Sequence, residues 1–292
     1  MAATATYADR QTKTGVVIGA TYEGRDPALL ERMLPLVDYI EVTLETISEM
    51  EDGELRLSDS VMGELKNLGN AVQTIVHGVS LSIGSHEGWS PMYLRLLDDF
   101  VEQVDVAWHS EHLCYTKVDG QHLGIMLAMP RTEEALDMLC KRVNAIQERY
   151  RLPFLLENIV HVVPDCPADY SDAAFLNALA DRTGCGLILD VYNLECDAHN
   201  HGFDISAFLN ELQFAHVREL HVACGVEHNG LLLDVHSQRT RSSTVELAQR
   251  VIRRSPGGIK VVVYEFMPEA IPGLGHTAIA EELARLREAF TD

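Results

Sequence analysis

Apolar positions along the chain alternate between short β-type runs and longer stretches with helical spacing. The β-type runs fall at 15–20, 39–43, 74–77, 104–108, 154–157, 187–190, 219–222 and 261–265. Between them, helical spacing covers 27–34, 60–68, 92–101, 133–150, 172–182, 205–211, 244–253 and 278–290. The helix at 133 begins with Thr132-Glu133-Glu134-Ala135, a polar cap followed by early acids, and Ser171-Asp172 opens the next one in the same way. Eight strands and eight helices in strict alternation predict a parallel sheet, because parallel strands need crossover helices. Eight such units over this length predict a closed α/β barrel, the (βα)8 TIM barrel, rather than an open sheet. No Pro/Gly/Ser-rich linker divides the chain, so one catalytic barrel is expected over 15–292, preceded by a flexible segment at 1–14.

Composition narrows the picture. The 292 residues are 47% hydrophobic, enough for a large core, and the formal net charge is −21. Such a charge repels polyanions and argues against a nucleic-acid partner. Residues 1–14 carry no apolar signal-peptide core, and no apolar run reaches the roughly 18 residues of a membrane span, so no membrane association is expected. Six cysteines at irregular spacing, none in a C-x-x-C pair, read as reduced thiols of a cytoplasmic protein.

In a barrel of this kind the C-terminal ends of the strands surround one cleft. The third strand ends in His77, the fourth runs into His112, the fifth ends in Glu157 and the sixth in Asp190, followed by Asn193. The seventh contains His221, the loop after it Asp234 and His236, and the eighth ends in Glu265. Imidazole and carboxylate suit Fe(II), Mn(II) or Zn(II), and no thiolate stands at a strand end. The set exceeds the needs of one ion, and a carboxylate such as Glu157 or Glu265 could bridge two. Without cations, several carboxylates in one cleft could not all remain ionised. Taken singly, a buried histidine is usually a satisfied core residue and an acid after a strand usually a helix cap. Their coincidence at matching barrel positions favours metal.

Other residues leave alternatives open. His199 and His201, expected in the loop after the sixth strand, could bind substrate or a further metal, although Asn200-His201-Gly202 also reads as a turn. The Gly/Ser-rich stretch 77–85 could offer backbone amides to an anionic group or be a plain loop. Arg239 and Arg241 could pair a carboxylate or phosphate, or be ordinary surface residues. His109, His122, His161, His216 and His276 read as mostly structural.

The motifs HGVSLSIGS, SEHL, LLENI, GCGLILDVYN, NHGFD, ELHVA and DVHS, with the strand-eight Glu, resemble the multinuclear non-heme iron-dependent oxidative enzymes, the methanobactin oxidase family. The resemblance runs from Gly15 to Leu283 with the motifs in order. The wider pattern is similar to endonuclease IV and to xylose isomerase-like barrels. Endonuclease IV has a histidine where this chain has Asn193, which favours the iron family. The resemblance implies two or three irons in mixed Fe(II)/Fe(III) states, with O₂ as co-substrate. His77, His112 and Glu157 would hold the first, Glu157, Asp190, His221 and Glu265 the second, and Asn193, Asp234 and His236 a weaker third. Glu157, His221, Asp234 and His236 would be the residues closest to catalysis. The implied substrate is a ribosomally synthesised precursor peptide, modified at Cys, or at Asp or Asn, often with a small leader-binding partner protein. Tyr192, where the family has a first Asn, and Phe266-Met267, in place of Trp-Asp, leave the ligands intact and bear on substrate choice. The competing reading is a divalent-metal hydrolase or isomerase of the endonuclease IV or xylose isomerase type. A metal-storage or peptide-binding protein fits less well, since three ions in one barrel mouth is a poor store.

Overall fold

The computed structural model describes residues 15–69, 71–163 and 168–291, so the expected N-terminal segment 1–14 lies outside the described residues. Eight parallel strands close into a barrel. We number them β1 (Val17–Thr21), β2 (Tyr39–Val42), β3 (Gln73–Gly78), β4 (Val106–His112), β5 (Phe154–Glu157), β6 (Gly186–Asp190), β7 (Val217–Val222) and β8 (Val261–Tyr264). Each pairs with its sequence neighbours, and β8 closes on β1 with Gly19 opposite Val263. The expected (βα)8 fold is therefore present, with strand boundaries moved by a few residues. The largest change is β4, which runs on to include His112.

Side chains alternate across a strand, so every second residue enters the lumen. The lower lumen is packed by Val17, Tyr39, Ile75, Trp108, Leu155, Ile188, Val261 and Val263. Gly19 makes room for them, since a Cβ there would stand 3.0 Å from Val263 Cγ2 and 3.3 Å from Tyr39 Cβ. Two residues further along β3, β5 and β6 come His77, Glu157 and Asp190, and His221 on β7 is the register partner of Asp190, so the same alternation that fills the core lifts polar groups to the mouth. A larger apolar cluster joins the strands' outer faces to the surrounding helices.

The expected caps are found: Thr132 Oγ1 accepts from Ala135 N–H and Ser171 Oγ from Ala174 N–H. Strict alternation is not found. Among the described residues three antiparallel hairpins are inserted, at Ser48–Glu51/Glu54–Leu57, Cys114–Val118/Gln121–Ala128 and Val226–His228/Leu231–Leu233. An extra helix, Val191–His201, follows β6 directly. His199 and His201 therefore lie on its last turn and not in a loop; Gly202, in the left-handed region at φ +71°, ends it. Cys114, Cys140, Cys185, Cys196 and Cys224 are free thiols, and among the described residues no helix is long and apolar enough to cross a membrane.

Candidate metal centre

The ends of β3, β4 and β5 bring His77, His112 and Glu157 together. Glu157 Oε2 lies 2.9 Å from His77 Nε2 and 3.3 Å from His112 Nε2, and the two imidazole nitrogens are 3.4 Å apart. Neither ring is free to turn its other nitrogen inward. His112 Nδ1–H donates to Gly78 O at 2.9 Å. Ser110 Oγ–H donates to Val76 O, which leaves Oγ to accept from His77 Nδ1–H at 2.9 Å. Both tautomers are thereby set with the Nε2 lone pair facing Glu157, as histidine ligands are normally oriented by their second nitrogen. Gly78 is required here, because a Cβ would fall 2.1 Å from Tyr93 Oη and 2.3 Å from Glu111 Oε1.

The other oxygen of Glu157 faces a second group. His221 Nδ1 lies 3.2 Å from Glu157 Oε1 and 3.1 Å from Glu265 Oε2. Donor atoms of Glu157, Asp190, His221 and Glu265 all fall within 4.8 Å of one another, as do those of His77, His112 and Glu157. Asp190 does two jobs: Oδ1 caps the following helix by accepting from Asn193 N–H at 2.7 Å, while Oδ2 faces the site. Beyond it, His236 Nε2 stands 2.6 Å from Asp234 Oδ1 and 4.0 Å from Glu265 Oε2. His236 holds φ +42°, a left-handed conformation that costs a non-glycine residue about 1–3 kcal/mol.

Many of these buried atoms make no well-directed hydrogen bond. Glu157 Oε2, Asp190 Oδ2, Asn193 Oδ1, His221 Nδ1, Asp234 Oδ1, His236 Nε2 and Glu265 Oε2 all lack one. Buried polar atoms are rarely left so, and seven converging on one mouth fit metal ions as the missing partners. The ionisation pattern agrees. Burial opposes charge on His77, but Glu157 outweighs it and raises its pKa to about 9. Burial likewise opposes charge on His236, and Asp234 with Glu265 raises it to about 10. His221 is raised as well, against burial, by Glu265, Glu41 and Glu157. Glu265 is lowered to about 2, against burial, by His221 and His236. Asp190 goes the other way, pushed up by burial and then by Glu157, Glu265 and Asp234. Protonated imidazoles thus stand in for the cations that the carboxylates require.

All nine expected site residues therefore meet at one mouth. Glu41 and Glu219, beneath His221, were missed; each lies on the lumen face of its strand, and the alternation around Tyr39 and His221 was the available signal. Other candidates have structural partners. In the 77–85 stretch, the amides of Val79 and Ser80 donate to Glu45 and that of Leu81 to Glu111, so they are not free for a substrate anion. Arg239 pairs with Glu282, and Arg241 sits over the Tyr192 ring. His199 Nε2–H donates to Gly230 O and His201 Nε2–H to His161 O. His161 is held by Asp197 and Asp172, and His109 by Tyr93 Oη.

Above the site lies a cavity of about 330 Å³. His112, Asn193 and Asp234 lie at its floor, and its walls include Ile125 of the second hairpin, Val162 of the loop after β5 and Leu231 of the third hairpin. Ile125, Val162 and Leu231 are exposed, so the mouth is rimmed with apolar surface.

Residues 21–287 match the sequence family described as "RiPP precursor modification enzyme MbnB/TglH/ChrH". A UPF0276 protein of Caulobacter vibrioides is 32% identical over 262 residues, 90% of each chain. Another, from Anaeromyxobacter sp. (strain Fw109-5), is 33% identical over 220 residues, 75% of each. Among solved structures, a xylose isomerase domain containing protein from Salmonella typhimurium LT2 superposes with a TM-score of 0.63 at 12% identity, covering 95% of this chain and 98% of that one. The IolI protein, solved with a zinc atom, gives 0.57 at 14%, covering 93% and 96%. At these identities the structural likeness speaks for the xylose isomerase-like barrel fold alone.

Proposed function

Since this chain belongs to the RiPP precursor modification enzymes of the MbnB/TglH/ChrH family, we propose that its barrel mouth holds two or three irons and oxidises a residue of a ribosomally synthesised peptide, with O₂ as co-substrate. The observation that carries this reading is the convergence on one mouth of seven buried nitrogen and oxygen atoms that make no well-directed hydrogen bond. His77, His112 and Glu157 would hold the first ion, and Glu157, Asp190, His221 and Glu265 the second, with Glu157 spanning both. Asn193, Asp234 and His236 would hold a third. When bound, iron supplies one-electron redox change and an open position for O₂ and for a substrate thiolate or carboxylate.

The remaining tasks fall to the chain. Ser110 and Gly78 O fix the faces that His77 and His112 present. Ile125, Val162 and Leu231 rim the approach with apolar surface against which a peptide can pack. When the third ion is not bound, His236 Nε2 lies 2.6 Å from Asp234 Oδ1 beside the cleft floor, and the imidazole carries the positive charge that the carboxylate faces. A small partner protein would present the peptide's leader segment, and Cys, Asp or Asn would be the residue modified.

The test is a metal exchange. Zinc binds such ligands but does not change oxidation state. Zinc-loaded protein should therefore be folded and inert toward the precursor peptide, while the same protein rebuilt with Fe(II) in air should change the peptide's mass. Activity of the zinc form, or iron turnover that is equal without O₂, would transfer the site to hydrolase or isomerase chemistry.

A further inference from the structure

Beneath His221 the lumen is packed by apolar side chains, among which stand Glu219 and Glu41. Ile188, Glu219, Val261 and Val17 are register partners across four adjacent strands, and the only charge in that row is Glu219, which is 0% exposed. Trp108 reaches across the lumen from β4 and donates Nε1–H to Glu219 Oε2 at 2.8 Å. That contact fixes the carboxylate and leaves its Oε1 unpaired, 3.5 Å from His221 Nε2. Glu41, on β2, approaches the same nitrogen at 3.3 Å, and neither of its oxygens has another well-directed bond. Two buried carboxylates thus stand on the side of His221 opposite Glu157 and Glu265.

From this geometry we propose that Glu219, anchored by Trp108 and seconded by Glu41, is a positioning residue for His221. Glu219 and Glu41 are the only acceptors that face Nε2 among the described residues, and with a proton held on that side Nδ1 presents its lone pair at the mouth. A neutral imidazole has one N–H and one lone pair, and whichever nitrogen meets an acceptor keeps the proton. His221 meets carboxylates on both nitrogens, so the proton belongs on Nε2 once a cation takes up Glu157 and Glu265, and the ligand atom is then Nδ1. An apolar residue of similar size would match its row but would leave the buried Trp108 Nε1–H without its acceptor. Outer partners of histidine ligands commonly change metal affinity about 10–100-fold. The inference rests on the ligand set proposed above for the second ion.

Glu219→Gln is the sharpest probe. Its carbonyl can still accept from Trp108, but its amide turns a donor toward His221 Nε2, which places the ring proton on Nδ1, facing the metals. The probe is zinc alone, read by chelator competition and by nitrogen NMR of histidine-labelled, zinc-loaded protein. In the unmodified protein, His221 should show a metal-bound Nδ1 and a protonated Nε2. In Glu219→Gln one zinc should leave about 10–100-fold more readily, the ion at His77 and His112 should stay, and the melting temperature should hold. Glu41→Gln with Glu219→Gln should weaken the second ion further. Glu219→Met, which matches the apolar row, supplies a second folded variant with the same expected metal loss. Unchanged zinc retention in Glu219→Gln and Glu219→Met would overturn the positioning role. An additional zinc on Nε2 that disappears in the double variant would also overturn it and make the acids ligands instead. Absence of zinc from His221 in the unmodified protein would be a separate failure, that of the second-ion ligand set itself.

Discussion

Replacing Glu157 by Gln tests whether one carboxylate serves two ions. The substitution keeps size, turns one acceptor oxygen into an amide donor and removes one charge from a residue that is 1% exposed. Its oxygens lie 2.9–3.3 Å from His77 Nε2, His112 Nε2 and His221 Nδ1. A cation shared with any of these nitrogens sits within about 4 Å of the carboxylate, where a unit charge pair contributes about 4 kcal/mol at an effective dielectric of 20. That is nearly three powers of ten in affinity for each ion, and the amide dipole restores only part of it. Glu157 is also the strongest influence that raises the pKa of His77 against burial, so in the variant that pKa should fall from about 9 toward or below 6.5. The assay is iron content after dialysis against a weak chelator, with turnover of the precursor peptide and histidine titration by NMR. The variant should lose at least one equivalent of metal and its activity. Full metal content with normal turnover would refute the shared carboxylate, and an unmoved His77 titration would refute the electrostatic account of it.

Two further outcomes follow. His236→Ala should release roughly one equivalent of iron and spare the other pair, whereas His221→Ala should empty the second position and abolish activity; equal and complete loss in both, measured by metal analysis, would contradict that ranking. The metal-free protein should lose stability in alkali: His77 and His236, raised to about 9 and 10, contribute fully below about pH 6.5 and lose that contribution as pH rises through those values, while Glu265, lowered to about 2, loses its contribution only in strong acid. For His77 the rise from 6.5 to about 9 is worth about 3 kcal/mol, so denaturation midpoints of the apo form should drop between pH 7 and 10, and those of the zinc-loaded form, in which ions replace the protons, should hold.

Local order in the sequence determined the barrel and where its candidate ligands stand. Period-two strands separated by period-3.6 helices admit few topologies, and the residue ending each strand is fixed at the mouth once the barrel closes. His77, Glu157, Asp190 and His221 could therefore be assigned from strand position, and Thr132 and Ser171 as caps from their own neighbours. Tertiary structure decided what depends on contacts across the lumen or between loops. The hairpin at Cys114–Val118/Gln121–Ala128 and the helix Val191–His201 escaped the reading because neither keeps a pattern distinct from its surroundings, and Asp190 serves the second both as cap and as candidate ligand. The amides of Val79, Ser80 and Leu81 looked available for an anion until Glu45 and Glu111, distant in sequence, were found to accept from them. The tautomers of His77 and His112 required Ser110 and the Gly78 carbonyl in place. Glu219 showed its meaning only when Trp108, 111 residues away in the chain, was seen to reach it across the barrel. Periodicity fixes which face a side chain takes; which groups meet there is set by closure of the barrel, and a proton's position on an imidazole is set by those meetings.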